Sequence, residues 1–291
     1  MSTTASLTRK ETAASVLALR FGGRALLYAV IAFGAIVFAF PFVWMISTSV
    51  KPAYQVMLMP PVWIPERFEW VNYVRPFQEL PFFLFFRNTI IVTLAGMTGV
   101  LLSSSIAAFS FSRMRFPFRD TFFVVMLATL MLPYPVTMIP TYVLFAKLRL
   151  INTFAPLVGP EWLGSPFVIF LLRQYMMTIP LEMDDAARID GCSWFGLYWR
   201  IVVPLSTPAL GVAAIYSFTF HWNDFIRPVI YLNQMDLFTV PLGMALLNNR
   251  YSVDFGGTMA IATLSLIPVL IVFFTAQRNF IQGIVVSGVK G

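Results

Sequence analysis

The sequence predicts an all-α fold that crosses a membrane about six times, and three observations carry that prediction. Of the 291 residues, 58% are hydrophobic and 11% are charged, too apolar for a soluble domain, whose surface must be largely polar. The apolar residues fall into runs of about 20 or more, the length at which a helix crosses the roughly 30 Å hydrocarbon core. The basic residues behind the formal net charge of +7 lie scattered between these runs. They form no stripe along one polar face, which sets aside nucleic acid and points to membrane topology.

Taken in order, residues 1–24 read as a cytoplasmic tail. Met1 to Leu19 carries Arg9 and Lys10 but no compact apolar core with a small-residue cleavage site, so no secretory signal peptide is expected. The first membrane helix then serves as its own insertion signal. Spans are expected at 25–48, 86–111, 121–146, 155–178, 207–232 and 256–277 by length and apolarity. The fourth is interrupted by Pro160, Glu161, Gly164 and Pro166. Residues 25–82 comprise the first span and a Pro-rich outer loop, Lys51 to Leu80, which reads as an ordered surface lid. Residues 83–282 form the remaining core, with a polar loop at 179–206, and 283–291 a second cytoplasmic tail.

With the amino terminus inside, twelve of the twenty Lys and Arg residues fall in inner segments: Arg9, Lys10, Arg20, Arg24, Arg113, Arg115, Arg119, Arg173, Arg188, Arg200, Arg278 and Lys290. Seven fall outside: Lys51, Arg67, Arg75, Arg87, Lys147, Arg149 and Arg250. Basic loops stay cytoplasmic, so both termini are placed inside.

The polar loop carries the chemistry. After Pro180, the carboxylates of Glu182, Asp184 and Asp185 fall in the first turn of a helix, where they complement its exposed amides and positive dipole end. Met183, Ala186, Ala187 and Asp190 recur at helical neighbour spacing and give a face of small side chains that another protein can approach closely. Gly191 suits a left-handed helix stop. Ser193 can cap a second helix with Trp194, Leu197, Tyr198 and Ile201 on one side, interrupted by Pro204. One reading is an amphipathic hairpin lying on the inner membrane surface, anchored by Trp194, Tyr198 and Trp199.

The other reading comes from a resemblance. The ordered offsets of Asp185, Ala186, Ala187, Gly191, Ile201, Val203 and Pro204 resemble the cytoplasmic "EAA" loop of binding-protein-dependent ABC importer permeases. Asp185 stands where that loop usually has glutamate, and Val203 where leucine precedes the proline. Further stretches extend the resemblance over nearly the whole chain: P-F-V-W-M-I-S-T-S-V-K from Pro41, R-N-T-I-I-V from Arg87, M-L-P-Y-P-V-T-M-I-P-T-Y from Met131, L-I-N-T-F from Leu150, F-H-W-N-D-F from Phe220 and Q-R-N-F-I-Q-G-I-V-V-S-G-V-K-G at the end. Together they are similar to the shorter permease subunit of maltose-type carbohydrate importers.

This resemblance implies a multi-pass protein of the inner cell membrane that imports a sugar. Its partners would be a second homologous permease, two ABC ATPase subunits, an extracytoplasmic sugar-binding protein and membrane lipid. It implies that Glu182, Asp184, Asp185, Ala186, Ala187, Arg188, Asp190, Gly191 and Pro204 couple the chain to an ATPase. No G-x-x-x-x-G-K-S/T phosphate loop occurs in the sequence, so ATP and Mg²⁺ are expected on the partner ATPase, with no cofactor in this chain. Import of glycerol 3-phosphate or another polyol phosphate is the nearest alternative.

From another class, a polytopic membrane enzyme could use Asp184, Asp185 and Asp190. That loop offers no histidine and no Cys pair: Cys192 and His221 are the only residues of their kinds. Metal ligands, a disulfide framework and catalytic residues are therefore not expected. A third alternative is a structural subunit that anchors a soluble complex without moving solute.

For the substrate path, the fifth span holds His221, Trp222, Asn223, Asp224 and Arg227, and ionisable groups in a span are functional candidates. Counting from Pro208 puts Asp224 about 24 Å along the helix, near the outer interface. Asp224 and Arg227 are also spaced to pair with each other. Pro228 bends or ends that helix. Tyr134 and Tyr142, among Pro133, Pro135 and Pro140, either face a sugar or serve as packing and belt residues. The Phe82 to Phe86 run reads as lipid-facing or interfacial.

Overall fold

The computed structural model describes residues 3–249 and 252–287. Arg250 and Lys290 of the charge count, and residues 288–291 of the expected tail, lie outside the described residues. The first helix, α1 (Thr3–Ser49), is continuous through the segment expected as a tail. From Gly23 to Ser49 it is long and apolar enough to span, and most of its side chains there are exposed up to Val43.

The Pro-rich loop, Lys51 to Leu80, is ordered by a few buried polar contacts. The Asn72 amide donates to the Ser49 carbonyl (3.1 Å) and the Lys51 carbonyl (3.0 Å), which ties the loop to the end of α1. Trp63 packs edge-on against Phe40 and Trp44, and the Lys51 ammonium sits 3.8 Å from the Trp44 ring centre. Burial lowers the Lys51 pKa from its usual value.

The central element is α2 (Phe82–Arg113). At 32 residues it is about 48 Å long, more than the hydrocarbon core requires. Small residues along it, Gly96, Gly99, Ser104 and Ala108, let three other elements pack close.

The third expected span is broken. α3 (Arg119–Ala128) continues as a 3₁₀ turn to Met131, and α4 (Tyr134–Lys147) leaves at 100° to it. The residue before a proline is forced out of the helical region, and Leu132 before Pro133 is extended. Pro133 and Pro135 also lack the N–H groups that would bridge the break. The segment expected as one span at 121–146 is therefore divided at these prolines.

The fourth span, Ala155–Met176, is long and apolar enough to cross despite its interruptions. It comprises Ala155–Val158, a 3₁₀ turn Gly159–Leu163, and α5 (Pro166–Met176). Gly164 has φ +97°, a conformation glycine adopts without strain.

The polar loop forms α6 (Leu181–Ile189) and α7 (Trp194–Leu197), followed by a π turn Tyr198–Val202 and a helical turn Val203–Leu205. Then come α8 (Thr207–Trp222), α9 (Ile226–Tyr231), α10 (Val240–Leu247) and α11 (Phe255–Ser287). A two-residue ladder pairs Asn248–Asn249 with Ser252–Val253.

The fifth expected span, 207–232, does not run through. α8 stops at Trp222, and its 16 residues cover about 24 Å, short of the core thickness. At its other end it meets the Trp194–Leu205 segment at a 78° bend. Among the described residues, four segments, or up to six if each bent pair is one span, are thus long and apolar enough to cross a membrane.

The core lies in three clusters along α2. Near its carboxyl end, Ala108 and Phe109 pack with Leu172, Met176, Leu197 and Val202. Further along, Val92 packs with Leu157, Tyr231 and Leu242. At its amino end, Phe82 and Phe85 are fully buried against Val240, Leu247 and Ile261. The Phe82 to Phe86 run is therefore split: Phe83 is exposed while Phe82 and Phe85 are core, because a helix turns successive residues to different faces. Gly243 gives the Phe85 ring its seat, since a Cβ there would collide with it. Gly243→Ala is expected to cost about 1–3 kcal/mol by overpacking, read as a lowered melting temperature in detergent. An unchanged melting temperature would show that the ring can move aside.

Candidate functional site

The polar-loop residues are placed by local rules. Pro180 precedes α6, whose first turn holds Glu182 and Asp184. Gly191 ends it with φ +81°, in the left-handed conformation expected of a C-terminal glycine. The Ser193 hydroxyl accepts from the Gly196 amide at 3.2 Å and caps α7. Pro204 does not end the helix. The preceding turn widens into the π form, because proline offers no N–H and its ring displaces the Arg200 carbonyl. The chain breaks two residues later, at Ser206.

Tertiary contacts divide the candidates into two groups. Asp184 turns inward: its carboxylate lies 3.0 Å from Arg113 Nε, with 8% and 2% of the two side chains exposed. Arg113 also donates to the Ile179 carbonyl at 2.9 Å. Burial raises the Asp184 pKa above the usual value, with Arg113 pulling it down and Asp185 pushing it up. Glu182, Asp185, Ala186, Arg188, Asp190, Gly191 and Pro204 stay exposed, while Ala187 is buried.

Glu182, Met183, Ala186, Asp190, Gly191 and Arg200 line an open hollow of about 670 Å³ between the two loop helices. Beside it Ile189 and Phe195 are exposed, which the sequence pattern did not single out. The Arg188 guanidinium lies 4.9 Å from the Trp194 ring centre.

The second loop helix buries Leu197, Tyr198 and Val202, and leaves Trp194 exposed and Ile201 only half-buried, unlike the expected face. The π turn adds a residue per turn and shifts the stripe. Tyr198 is no surface anchor: its hydroxyl meets the Ser105 hydroxyl at 2.7 Å and its ring meets Phe109. The loop is thus fastened to α2 by an ion pair and by a buried hydroxyl pair.

The candidate path residues lie beside the middle of α2. The His221 ring rests on Gly96, where a Cβ would lie 2.5 Å from it, and Trp162 rests on Gly99, where a Cβ would lie 2.7 Å away. Both glycines are about 21–26 Å from either end of α2, at its middle.

Here Arg227 joins two carboxylates, Nη1 to Glu161 Oε1 at 2.6 Å and Nε to Asp224 Oδ2 at 2.5 Å. His221 Nε2 is 3.4 Å from the same Glu161 oxygen, and His221 Nδ1 is 2.7 Å from the Ser217 carbonyl. The pairing of Asp224 with Arg227 anticipated from spacing is present. Glu161 was noted only as an interruption of its span. Its signal was a lone carboxylate in an apolar segment.

Trp222 is buried and donates to the Ser265 carbonyl at 3.1 Å. Asn223 is exposed and donates to the Thr219 carbonyl at 2.9 Å. Tyr142 stacks on Tyr231, whose hydroxyl meets Thr141 Oγ1 at 3.0 Å. Tyr134 and Tyr142 are each more than a third exposed.

Residues 99–286 match the family model described as "Binding-protein-dependent transport system inner membrane component". The arabinooligosaccharides transport system permease protein AraQ of Halalkalibacterium halodurans is 33% identical over 263 residues, 89% of this chain and 94% of that protein. The sn-glycerol-3-phosphate transport system permease protein UgpE of Salmonella typhi is 34% identical over 220 residues, 75% of this chain and 78% of that protein. A crystal structure of a bacterial ABC transporter involved in the import of the acidic polysaccharide alginate shares the fold, with a TM-score of 0.75 and 23% identity over 90% of this chain and 97% of that one. The chain is a multi-pass membrane protein and belongs to the family of binding-protein-dependent transport system inner membrane components.

Proposed function

We propose that this chain is one of two permease subunits of an ATP-driven importer, carrying a sugar or oligosaccharide handed over by an external binding protein. The loop of α6 and α7 carries this reading. It presents a hollow with exposed apolar and charged groups at its edge, and is fastened to α2 through Arg113–Asp184 and Tyr198–Ser105. Such an element converts a displacement of a docked ATPase into motion of the spans. ATP and Mg²⁺ belong to that partner, the loop end of α2 faces the cytoplasm, and both termini lie on that side.

UgpE among the relatives raises a phosphorylated solute as a second reading. A phosphate needs a cation free to bind it. Arg227, the cation nearest the candidate path, is already held by Glu161 and Asp224. Two carboxylates against one guanidinium leave no positive charge to spare, which favours a neutral solute.

Co-purification with an ATPase, a second permease and binding-protein-dependent uptake of a sugar tests this reading. A chain that purifies alone and moves nothing would defeat it. Gly191→Leu should leave the chain inserted but lower uptake roughly tenfold, on the scale of 1–3 kcal/mol couplings. The position has open space around it but a left-handed φ, so the new side chain both strains the turn and protrudes beside the hollow. Unaltered uptake would separate the loop from coupling.

A further inference from the structure

We propose that Glu161 is a positioning residue of the transport cycle: it latches the 3₁₀ turn of the fourth span to the end of α8 at the middle of α2, and this latch suppresses ATP turnover until solute is delivered. The inference rests on the permease reading above. Three elements converge at one depth. The Gly159–Leu163 turn supplies Glu161 and Trp162, the end of α8 and the segment after it supply His221, Asp224 and Arg227, and α2 supplies Gly96 and Gly99 as seats.

One carboxylate oxygen, Glu161 Oε1, lies between the two: it pairs with Arg227 at 2.6 Å, and His221 Nε2, buried and without a hydrogen-bond partner, packs 3.4 Å from it, so the turn meets the end of α8 and the segment after it at a single group. The remaining neighbours leave it little freedom. Ser103 Oγ donates to the Glu161 carbonyl at 3.3 Å, and Ser104 Oγ accepts from the Ser165 amide at 3.0 Å, which fixes the turn on α2. His221 has 1% of its side chain exposed and can occupy its seat only while position 96 lacks a Cβ.

Just beyond the latch the helix is interrupted. Residues 223–225 separate α8 from α9, and Asp224 caps the new start by accepting from the Arg227 amide at 3.3 Å. The interrupted helix is clamped by charges on one side of the break and by a ring-on-glycine seat on the other, and the proposed latch requires a second, released arrangement in which these contacts part. Such an element is what an alternating-access cycle must bias. In the clamped form the Arg227 Nη2 atom is buried without a hydrogen-bond partner. Release would give it one in water or solute, which lowers the cost of opening.

The test uses the assembled importer in proteoliposomes and measures ATP hydrolysis and solute uptake with and without the binding protein. Glu161→Gln removes the charge and keeps the shape. Gly96→Ala disturbs the same latch from α2 without touching a charge. Both are expected to raise ATP hydrolysis in the absence of binding protein about fivefold or more and to lower uptake per ATP, while Glu161→Asp stays closer to the parent.

If neither variant assembles, His221→Gln, which keeps both Arg227 ion pairs, is expected to show the same rise. A parent complex that responds to the binding protein, beside assembled variants with parental basal turnover, overturns the latch alone. A parent with no solute-dependent turnover overturns the permease reading and the latch with it.

Discussion

Arg113→Met is expected to destabilise the chain by about 3–5 kcal/mol, because it leaves the Asp184 carboxylate buried without its cation. The double variant Arg113→Met/Asp184→Leu should regain most of that loss, since an apolar pair of similar volume avoids both desolvation penalties. The pH dependence follows from the direction of the Asp184 shift. Its folded pKa is raised by burial, so its contribution is fully present below the unfolded carboxyl pKa and is lost as pH rises through the folded value. Without Arg113 that elevation grows, and the defect should be greatest at neutral pH and smaller in mild acid. Melting temperatures of purified protein at the two pH values check this. A single variant as stable as the parent at neutral pH would show that the ion pair contributes nothing.

Arg227→Met is expected to prevent accumulation of folded chain. It strands Glu161 and Asp224, with 14% and 12% of their side chains exposed, at the depth of the middle of α2. An uncompensated charge at the centre of a membrane helix costs about 2.5–3.5 kcal/mol even on insertion scales, and here there would be two. The triple variant Arg227→Met/Asp224→Asn/Glu161→Gln should restore the amount in the membrane but not the dependence of ATP turnover on binding protein. Membrane quantity by immunoblot and size-exclusion profiles in detergent read the first part. Normal accumulation of the single variant would mean that water reaches these carboxylates freely.

These two sites also show how far the sequence could be read. Both ends of α6 and the start of α7 were legible because Pro180, Gly191 and Ser193 act on their own backbone within a few residues. The inward turn of Asp184 was not, since its partner Arg113 belongs to a different span and spacing within the loop says nothing about it. The Leu132–Pro133 break was signalled by prolines, yet whether a proline kinks or divides a span depends on what neighbours supply to the freed carbonyls. Glu161 looked like a flaw in its span and became the centre of the ion network because two other elements bring His221 and Arg227 to it.

The amino-acid order by itself determined the membrane class, the helix signals of the polar loop and the spacing of Asp224 and Arg227, all of which depend on interactions within a turn or two of helix or on bulk transfer free energy. The tertiary structure alone decided depth and partnership: which carboxylates face inward, where the fifth span stops, and that Gly96 and Gly99 receive His221 and Trp162. The physical reason is that depth accumulates along every preceding bend, and pairing requires side chains from separate spans to meet. Neither is a property of any local stretch of sequence.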